Sequence, residues 1–337
     1  MLKSKSFTLI ELLVVIVIIG ILAGVITIST SNNIAKAQDS KVSSVMLGIS
    51  KLLKTYSMDT FPIETIPCNI KTGCTNLKSK IDIPNIDQDM YYKTSSSGNF
   101  FVIYANKPSD TSLSFEINSN IEKVKEVPSF DNLVAYYPLS IGTNDGNAIS
   151  DMSPNSNHGT NNGATFTEGV DGNINTGMKF DGVDDIIIVN FDNPAEFSVF
   201  CWVKINSDDG WIINKRDNVS DNQWQLYHYQ GYLGAALYPG STSAVAITRK
   251  NNIIVQGWKY VGFITNGING GYLKLFSDGV LIDETELIGN MKLGSREMII
   301  GRSGWGSLFL NGSIDDVRIY NRALSEKEVK LLYNNSK

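Results

Sequence analysis

The sequence predicts a multidomain chain: a long N-terminal α-helix with a small α+β head, followed by an all-β antiparallel sandwich. Residues 1–130 carry 5 of the 29 glycines and a net charge of +2, whereas residues 131–337 carry 24 glycines, all five tryptophans and a net charge of −7. An almost wholly apolar segment near the N-terminus supplies the long helix. With 42% hydrophobic residues the chain can bury a sizeable core, and its formal charge of −5 argues against a nucleic-acid partner.

The first element is the apolar segment of residues 7–30, which we expect to be a membrane-spanning helix. Phe7 to Ile28 is 22 residues, or about 33 Å of helix, which is enough to cross a bilayer. The lysines before it keep the extreme N-terminus in the cytoplasm. No small-residue cleavage site follows the segment, so we expect it to be retained as a single pass, with the C-terminal domain outside the cytoplasm. Glu11 interrupts the apolar pattern, and a carboxylate at this depth indicates a function unless it only reaches to the headgroups.

The stretch from Ser6 onward reads Ser-Phe-Thr-Leu-Ile-Glu-Leu-Leu-Val-Val-Ile-Val-Ile-Ile-Gly-Ile-Leu-Ala. It resembles the class III signal of type IV prepilins and type II secretion pseudopilins. The resemblance implies that residues 1–6 are a leader, that prepilin peptidase cuts between Ser6 and Phe7, and that the new amino group of Phe7 is methylated. The family usually has Gly before this bond, where this chain has Ser6. Glu11 would then neutralise the N-terminal amine of a neighbouring pilin subunit during assembly.

Residues 31–120 predict an amphipathic continuation of the helix and a small pilin-like head. Apolar residues recur at helical spacing from Asn32 to about Met58, and short strand-like runs follow at 89–94, 99–106 and 112–118. Cys68 and Cys74 bracket a five-residue loop, so they form either a disulfide outside the cytoplasm or two unrelated thiols. The charged residues 121–130, which include Pro128, are expected to be a linker.

Residues 131–337 predict a sandwich of two antiparallel sheets, because short runs bounded by Gly, Asn and Asp recur throughout. Asp278-Gly279 predicts a tight hairpin turn. The stretch Ser325–Tyr333 predicts one short helix, with Ser325 and Glu328 placed as a capping box.

Several stretches carry a second resemblance, above all Met178-Lys-Phe-Asp-Gly-Val-Asp-Asp185 and Asn311-Gly-Ser-Ile-Asp-Asp-Val-Arg-Ile-Tyr-Asn-Arg-Ala-Leu-Ser325. They resemble the laminin-G-like, concanavalin A-like jelly-roll family over residues 131–337. The resemblance implies a jelly-roll sandwich. It also implies a domain that binds glycans or proteins, or one that serves as a spacer.

Catalytic constellations are not evident in the sequence. Two isolated histidines, His158 and His228, do not form a recognisable triad, and zinc-ligand spacing is missing. We therefore expect no enzyme. The aromatic residues Trp224, Tyr227 and Tyr229, with the Gly-Trp-Gly run at 304–306, could stack on sugars or belong to the core and rim of the sandwich.

A structural calcium ion is the one cofactor expected. Strand alternation places Asp315 on the inward face with Val317 and Ile319, where a carboxylate needs a cation or hydrogen bonds. The loop that begins at Asp151 is rich in oxygen ligands. In similar jelly rolls this loop and this strand meet around calcium, which implies Asp151, Asn157 and Asp315 as ligands. The alternative is that Asp315 accepts backbone N–H groups and Asp151 is a turn aspartate.

Together these features predict a minor type IV pilin or pilin-like surface subunit that presents a lectin-like module for adhesion to a glycan or surface protein. It would start in the inner or cytoplasmic membrane and reach the cell surface or a pilus after assembly. Its partners would be the membrane, prepilin peptidase and other pilin subunits. One alternative is a structural pseudopilin of a type II secretion-like system whose jelly roll is a spacer. A surface-tethered glycan hydrolase is the third.

Overall fold

The structure is a computed structural model. It describes the backbone of residues 9–56, 60–64, 66–80, 82–83, 87–95, 97–145, 147–207, 209–215, 223–239, 244, 246–251, 257–303 and 308–336. It describes the side chains of these residues except those of 9–30, 56, 144–145 and 295–296.

The described residues form three α-helices and three antiparallel sheets. The helices are α1 (Leu9–Tyr56), α2 (Thr75–Lys78) and α3 (Glu326–Asn335), and Phe130–Asn132 forms a 3₁₀ turn. The head contains β1 (Cys68–Asn69), β2 (Met90–Thr94), β3 (Phe101–Asn106), β4 (Leu113–Asn118) and β5 (Lys125–Pro128). The sandwich contains β6 (Leu133–Tyr137), β7 (Asn144–Asp145), β8 (Ala148–Ile149), β9 (Gly159–Asn162), β10 (Thr165–Thr167), β11 (Gly177–Asp181), β12 (Ile186–Asp192), β13 (Phe197–Ile205), β14 (Gly210–Lys215), β15 (Trp224–Tyr229), β16 (Tyr232–Leu237), β17 (Ala246–Asn251), β18 (Lys259–Thr265), β19 (Tyr272–Ser277), β20 (Val280–Glu286), β21 (Ser295–Ile300) and β22 (Asn311–Tyr320).

The three sheets have different strand orders. The head sheet runs β1-β2-β3-β4-β5. The middle sheet runs β10-β11-β22-β13-β18-β19-β20, with β6 also paired to β22, and the outer sheet runs β17-β16-β15-β14-β21-β12-β9-β8-β7. The middle and outer sheets enclose one large apolar core. This confirms the predicted α+β head and all-β jelly-roll sandwich.

The head sheet is covered on both of its faces. On β3, Phe101 and Ile103 pack with α1 residues such as Met46, whereas Val102 and Tyr104 pack toward the sandwich. Every residue of β3 except Asn106 is therefore buried. The molecule is consequently layered in the order α1, head sheet, middle sheet and outer sheet.

The middle sheet has two buried faces as well. On β13, Val199 and Cys201 point into the sandwich core, whereas Phe200 and Trp202 point toward the head and α3. The hairpin at Asp278-Gly279 and the capping box of α3 are both present as predicted. The predicted linker, residues 121–130, contains β5, whose Pro128 is tolerated because β5 is an edge strand.

Candidate functional site

The residues expected to direct processing and assembly lie at the N-terminus. Ser6 and Phe7 are outside the described residues, and Glu11 belongs to α1 but its side chain is outside the described part. Within the part that could be searched, no helix is long and apolar enough to span a membrane. The roles of these three residues stay predictions from the sequence.

The two cysteines of the head form a disulfide. Cys68 and Cys74 have Cα atoms 5.2 Å apart and close a loop between β1 and α2. Cys74 is buried in the core between α1 and the head sheet. The third cysteine, Cys201, is a free buried thiol in the sandwich, and burial raises its pKa far above the usual range.

A buried ion pair joins the head to the sandwich. Arg318 on β22 donates from both terminal nitrogens to the carboxylate of Glu116 on β4, at 2.7 and 3.1 Å. Its Nε donates to Asp316 at 3.0 Å, and its guanidinium lies 4.0 Å from the ring centroid of Tyr136. The side chains of Glu116 and Arg318 are only 1% and 5% exposed. Aromatic and aliphatic side chains from both sides surround this pair in one continuous cluster.

A lysine provides a second buried polar contact between the same two units. Lys93 on β2 donates to the backbone oxygen of Ser153 at 2.5 Å and to the hydroxyl of Ser156 at 3.0 Å. Burial lowers the pKa of Lys93 to about 8, and the nearby carboxylate of Asp151 opposes that change. The Lys93 ammonium therefore links the head to the loop that follows β8.

Asp151 organises this loop by accepting four hydrogen bonds. Its Oδ1 accepts from the backbone N–H groups of Tyr136 and Ser153, both at 2.8 Å. Its Oδ2 accepts from the Ser153 hydroxyl and the Asn157 N–H, both at 2.7 Å. The side-chain amide of Asn157 donates to the Val134 oxygen at 2.9 Å. These contacts are those of a turn aspartate, and calcium binding by Asp151 and Asn157 stays a prediction.

Asp315 does not point where simple strand alternation places it. It lies opposite Trp202, on the head-facing side of the middle sheet, whereas Val317 points into the sandwich core. The reason is a bulge, because the β13–β22 register shifts here and Asp316 adopts a left-handed φ of 48°. The prediction of an inward Asp315 beside Val317 is therefore wrong.

The environment of Asp315 is also that of a buried acid. Its Oδ2 accepts a hydrogen bond from the Val170 N–H at 3.0 Å. Burial raises the pKa of Asp315 well above its usual range, and the adjacent charge of Asp316 raises it further. Asp315 shares no hydrogen-bond partner with Asp151 among the described residues, so the structure does not join the expected calcium ligands into one cluster.

An aromatic cluster lies on the outer sheet, on the face away from the core. The rings of Trp211 and Tyr227 have centroids 5.1 Å apart, and Tyr229 lies 6.4 Å from Trp211. Tyr227 fits against β16 only because Gly234 has no side chain there, since a Cβ at that position would lie 2.5 Å from the ring. The third expected sugar-stacking residue, Trp224, is instead fully buried in the core.

This cluster combines apolar rings with polar groups. Tyr229 is 37% exposed, and the buried Nε1 of Trp211 has no hydrogen-bond partner among the described residues. The buried Oδ1 of Asn214, two residue pairs further along the same two strands, also lacks a partner among the described residues. A ligand with hydroxyl groups and an apolar ring face would match this chemistry.

The remaining chemical groups of the described residues form no evident catalytic set. Nδ1 of His158 accepts a hydrogen bond from the Asp151 N–H at 3.1 Å, and burial lowers the pKa of His158. His228 is buried on β15. Among the described residues, the carboxylates of Asp181, Asp184 and Asp185 form a group in which one oxygen of each lies within 4.8 Å of the others.

Two family models match the sequence. The model of the concanavalin A-like lectin/glucanases superfamily matches residues 153–330, which is more than half of the chain. The model of the prokaryotic N-terminal methylation motif matches residues 1–27. Comparison with curated proteins finds no match.

Solved structures share the sandwich fold at low sequence identity. HCR/D-Sa-GBL1/C is 16% identical with a TM-score of 0.50, and the match covers 62% of this chain and 53% of that one. The receptor binding domain of botulinum neurotoxin C/D mosaic serotype is 20% identical with a TM-score of 0.49, covering 61% and 51%. The binding domain of Paraclostridial Mosquitocidal Protein 1 is 19% identical with a TM-score of 0.49, covering 61% and 53%. The chain thus matches about half the length of each structure, and the likeness concerns the fold alone.

Proposed function

The chain belongs to the concanavalin A-like lectin/glucanases superfamily, and from that premise we propose that it is a minor type IV pilin or pilin-like surface subunit that uses its jelly roll for adhesion. The ligand would be a glycan or a surface protein. The subunit would enter the inner or cytoplasmic membrane as a precursor and reach the cell surface after assembly with other pilin subunits.

The observation that carries this proposal is the buried attachment of the jelly roll to the head. Glu116 and Arg318 pair at 2.7 Å inside a shared apolar cluster, so the module is held in one orientation relative to the head and α1. A binding module on a filament must transmit force from its ligand to the filament. A rigid, desolvated joint suits that task better than a flexible linker.

The N-terminal motif supplies the assembly half of the proposal. We propose that prepilin peptidase cleaves between Ser6 and Phe7, that Phe7 is methylated, and that Glu11 pairs with the N-terminal amine of a neighbouring subunit. A carboxylate in a bilayer costs about 2.5–3.5 kcal/mol on insertion scales when unpaired, which favours such a partner.

The aromatic cluster of the outer sheet is the surface we propose for the ligand. Tyr229 offers an exposed ring, and the buried Trp211 Nε1 beside it is an unpaired donor. The proposal is one of binding, with no catalytic step assigned to any residue.

Glycan-array binding of the detergent-solubilised full-length protein tests the proposal. The Tyr229→Ala variant is expected to lose most binding, because the exposed ring is removed. Ile288→Ala is the matched control, since this side chain is also exposed, at 86%, but lies in the loop after β20. No binding to any glycan or surface protein would leave the structural pseudopilin with a spacer domain as the better account. Hydrolysis of a polysaccharide panel would favour the third alternative, a tethered hydrolase.

A further inference from the structure

An arginine lies on the same face of the outer sheet as the aromatic cluster. In the register of this sheet, Tyr227 on β15 lies opposite Gly234 on β16, and Gly234 lies opposite Arg249 on β17. Residues that lie opposite each other on adjacent strands point to the same side of a sheet, so Arg249 shares the outward face of Tyr227. Their backbones are two strand spacings apart, or about 10 Å, which two long side chains can bridge.

The side chain of Tyr227 extends toward this arginine. It lies across Gly234, because a Cβ at Gly234 would be 2.5 Å from Cζ and 2.6 Å from the hydroxyl oxygen of Tyr227. Burial raises the pKa of Tyr227, and the positive charge of Arg249 opposes that change. The Tyr227 hydroxyl therefore stays protonated at neutral pH and can donate a hydrogen bond on the side of the sheet where the guanidinium lies.

A second tyrosine positions the guanidinium of Arg249. The guanidinium carbon lies 5.3 Å from the ring centroid of Tyr232, which is the distance of a cation–π contact. Tyr232 on β16 is the cross-strand partner of Tyr229 on β15, whose ring is 37% exposed. The exposed ring of Tyr229, the ring of Tyr232 and the guanidinium thus follow one another across three adjacent strands.

The guanidinium of Arg249 has no ion pair among the described residues, although Arg249 itself is exposed. The acid that contacts its strand is Asp283 on β20. The Oδ2 atom of Asp283 accepts hydrogen bonds from the Thr248 hydroxyl at 2.7 Å and from the backbone N–H of Arg249 at 3.0 Å. A guanidinium holds five N–H donors in a planar fork, which matches a carboxylate through two parallel hydrogen bonds. The charge of this surface is therefore complementary to a carboxylate.

The overall charge of the sandwich makes this local cation the deciding feature. Residues 131–337 carry a net charge of −7, which by itself would repel an acidic ligand. At physiological ionic strength, however, exposed charges more than about 8 Å apart are largely screened from each other. An acidic group that sits against Arg249 therefore interacts mainly with the guanidinium.

We infer that the outer sheet binds a glycan that carries a carboxylate. One sugar ring stacks on Tyr229, and the carboxylate of the same or the adjoining sugar is held by the Arg249 guanidinium and the Tyr227 hydroxyl. This inference rests on the proposed function, since it names the class of glycan that the aromatic cluster takes. The exposed ring supplies an apolar platform for any sugar, whereas Arg249 supplies the selectivity for an acidic one.

The test is binding of the detergent-solubilised full-length protein to matched pairs of glycans. Each pair consists of a sialylated or uronic-acid glycan and the same glycan with its carboxylate reduced to an alcohol. The unmodified protein should bind the carboxylated member about tenfold more tightly or better, because the reduced member loses a charge-assisted bidentate pair. Arg249→Gln should remove this preference and keep the binding of the reduced member.

Lys250→Gln is the matched control. It removes an exposed cation from the neighbouring position of β17, but Lys250 lies opposite the core residue Leu233 and so belongs to the other face of the sheet. The control variant should keep the full preference for the carboxylated member. Tyr229→Ala should weaken the binding of both members of a pair.

The outcomes separate this inference from the function on which it rests. Equal binding of both members by the unmodified protein would overturn the inference and leave glycan adhesion standing, and this result does not depend on the folding of any variant. A preference that Lys250→Gln loses as fully as Arg249→Gln would indicate diffuse charge attraction and would also overturn it. Tighter binding of a sulfated neutral glycan than of the carboxylated members would do the same. Binding to an acidic protein, with no binding to any glycan pair, would overturn both the inference and adhesion to glycans.

Discussion

Removing the carboxylate of Glu116 should loosen the sandwich, although Glu116 belongs to the head. Glu116 accepts two hydrogen bonds from Arg318 in a site where both side chains are at least 95% buried. Removing one partner of a buried pair costs about 3–5 kcal/mol, because an uncompensated charge is left behind. Asp316 still pairs with Arg318 in the Glu116→Ala variant. We therefore expect the free energy of unfolding to fall by about 3 kcal/mol, the low end of this range.

Removing Arg318 should destabilise the protein more than removing Glu116. Arg318→Ala leaves Glu116 and Asp316 buried together without the cation that hydrogen-bonds to both, so we expect the free energy of unfolding to fall by about 5 kcal/mol. The double variant should lose less stability than the two single variants lose together. The second change removes the charge that the first left unpaired. Lys107→Ala is the matched control. It breaks the partly exposed pair with Glu126, and such a pair contributes less than about 1 kcal/mol.

Urea unfolding followed by tryptophan fluorescence is the assay. All five tryptophans lie between residues 202 and 305, so the signal reports on the sandwich rather than on the head. A shift caused by Glu116→Ala is therefore a direct measure of coupling between the two units. A loss below about 1 kcal/mol, equal to that of the Lys107 control, would refute the argument that this pair joins them.

Three further predictions concern processing, assembly and pH. N-terminal sequencing of the membrane-extracted protein should begin at Phe7, and a start after residue 28 would indicate ordinary secretion instead. Glu11→Ala should leave the protein in the membrane but outside filaments, as fractionation would reveal, and normal incorporation would mean that Glu11 is only interfacial. Because burial lowers the pKa of Lys93 to about 8, the folded state binds fewer protons than the unfolded state between about pH 8 and the usual lysine pKa. The free energy of unfolding should thus rise with pH from about 8 to 10. Lys93→Met should flatten that rise. An unchanged slope would contradict the lowered pKa of Lys93.

The layered fold could be predicted from the sequence because its strongest signals are local. The alternating residues of 100–105 predict a strand, and both alternating sets are apolar because α1 covers one face and the sandwich covers the other. Edge strands were harder to predict. The sequence of β17, Ala-Ile-Thr-Arg-Lys-Asn, does not indicate a strand, because it is mostly polar and exposed, as suits the edge of the outer sheet. The sequence of β5 resembles a charged linker because β5 is likewise an edge strand with charged residues.

The candidate site was less predictable because it depends on a bulge and on long-range pairing. The left-handed conformation of Asp316 places the side chain of Asp315 on the opposite face of the sheet from the one that alternation predicts. The local sequence pattern does not indicate this conformation. Glu116 and Arg318 are 202 residues apart, and Glu116 lies on a strand face that looks solvent-exposed in the sequence. The disulfide of Cys68 and Cys74 was accessible to sequence reasoning because the loop between them is short.

Immunogold labelling of intact cells, with antibody against residues 131–337, tests the central claim most directly. The account predicts gold particles on surface filaments in cells that produce the unmodified protein, and their absence from filaments in cells that produce Glu11→Ala. Gold on the cell surface but never on filaments, with no difference between the two proteins, would contradict the account of a pilin-like subunit that displays a binding module.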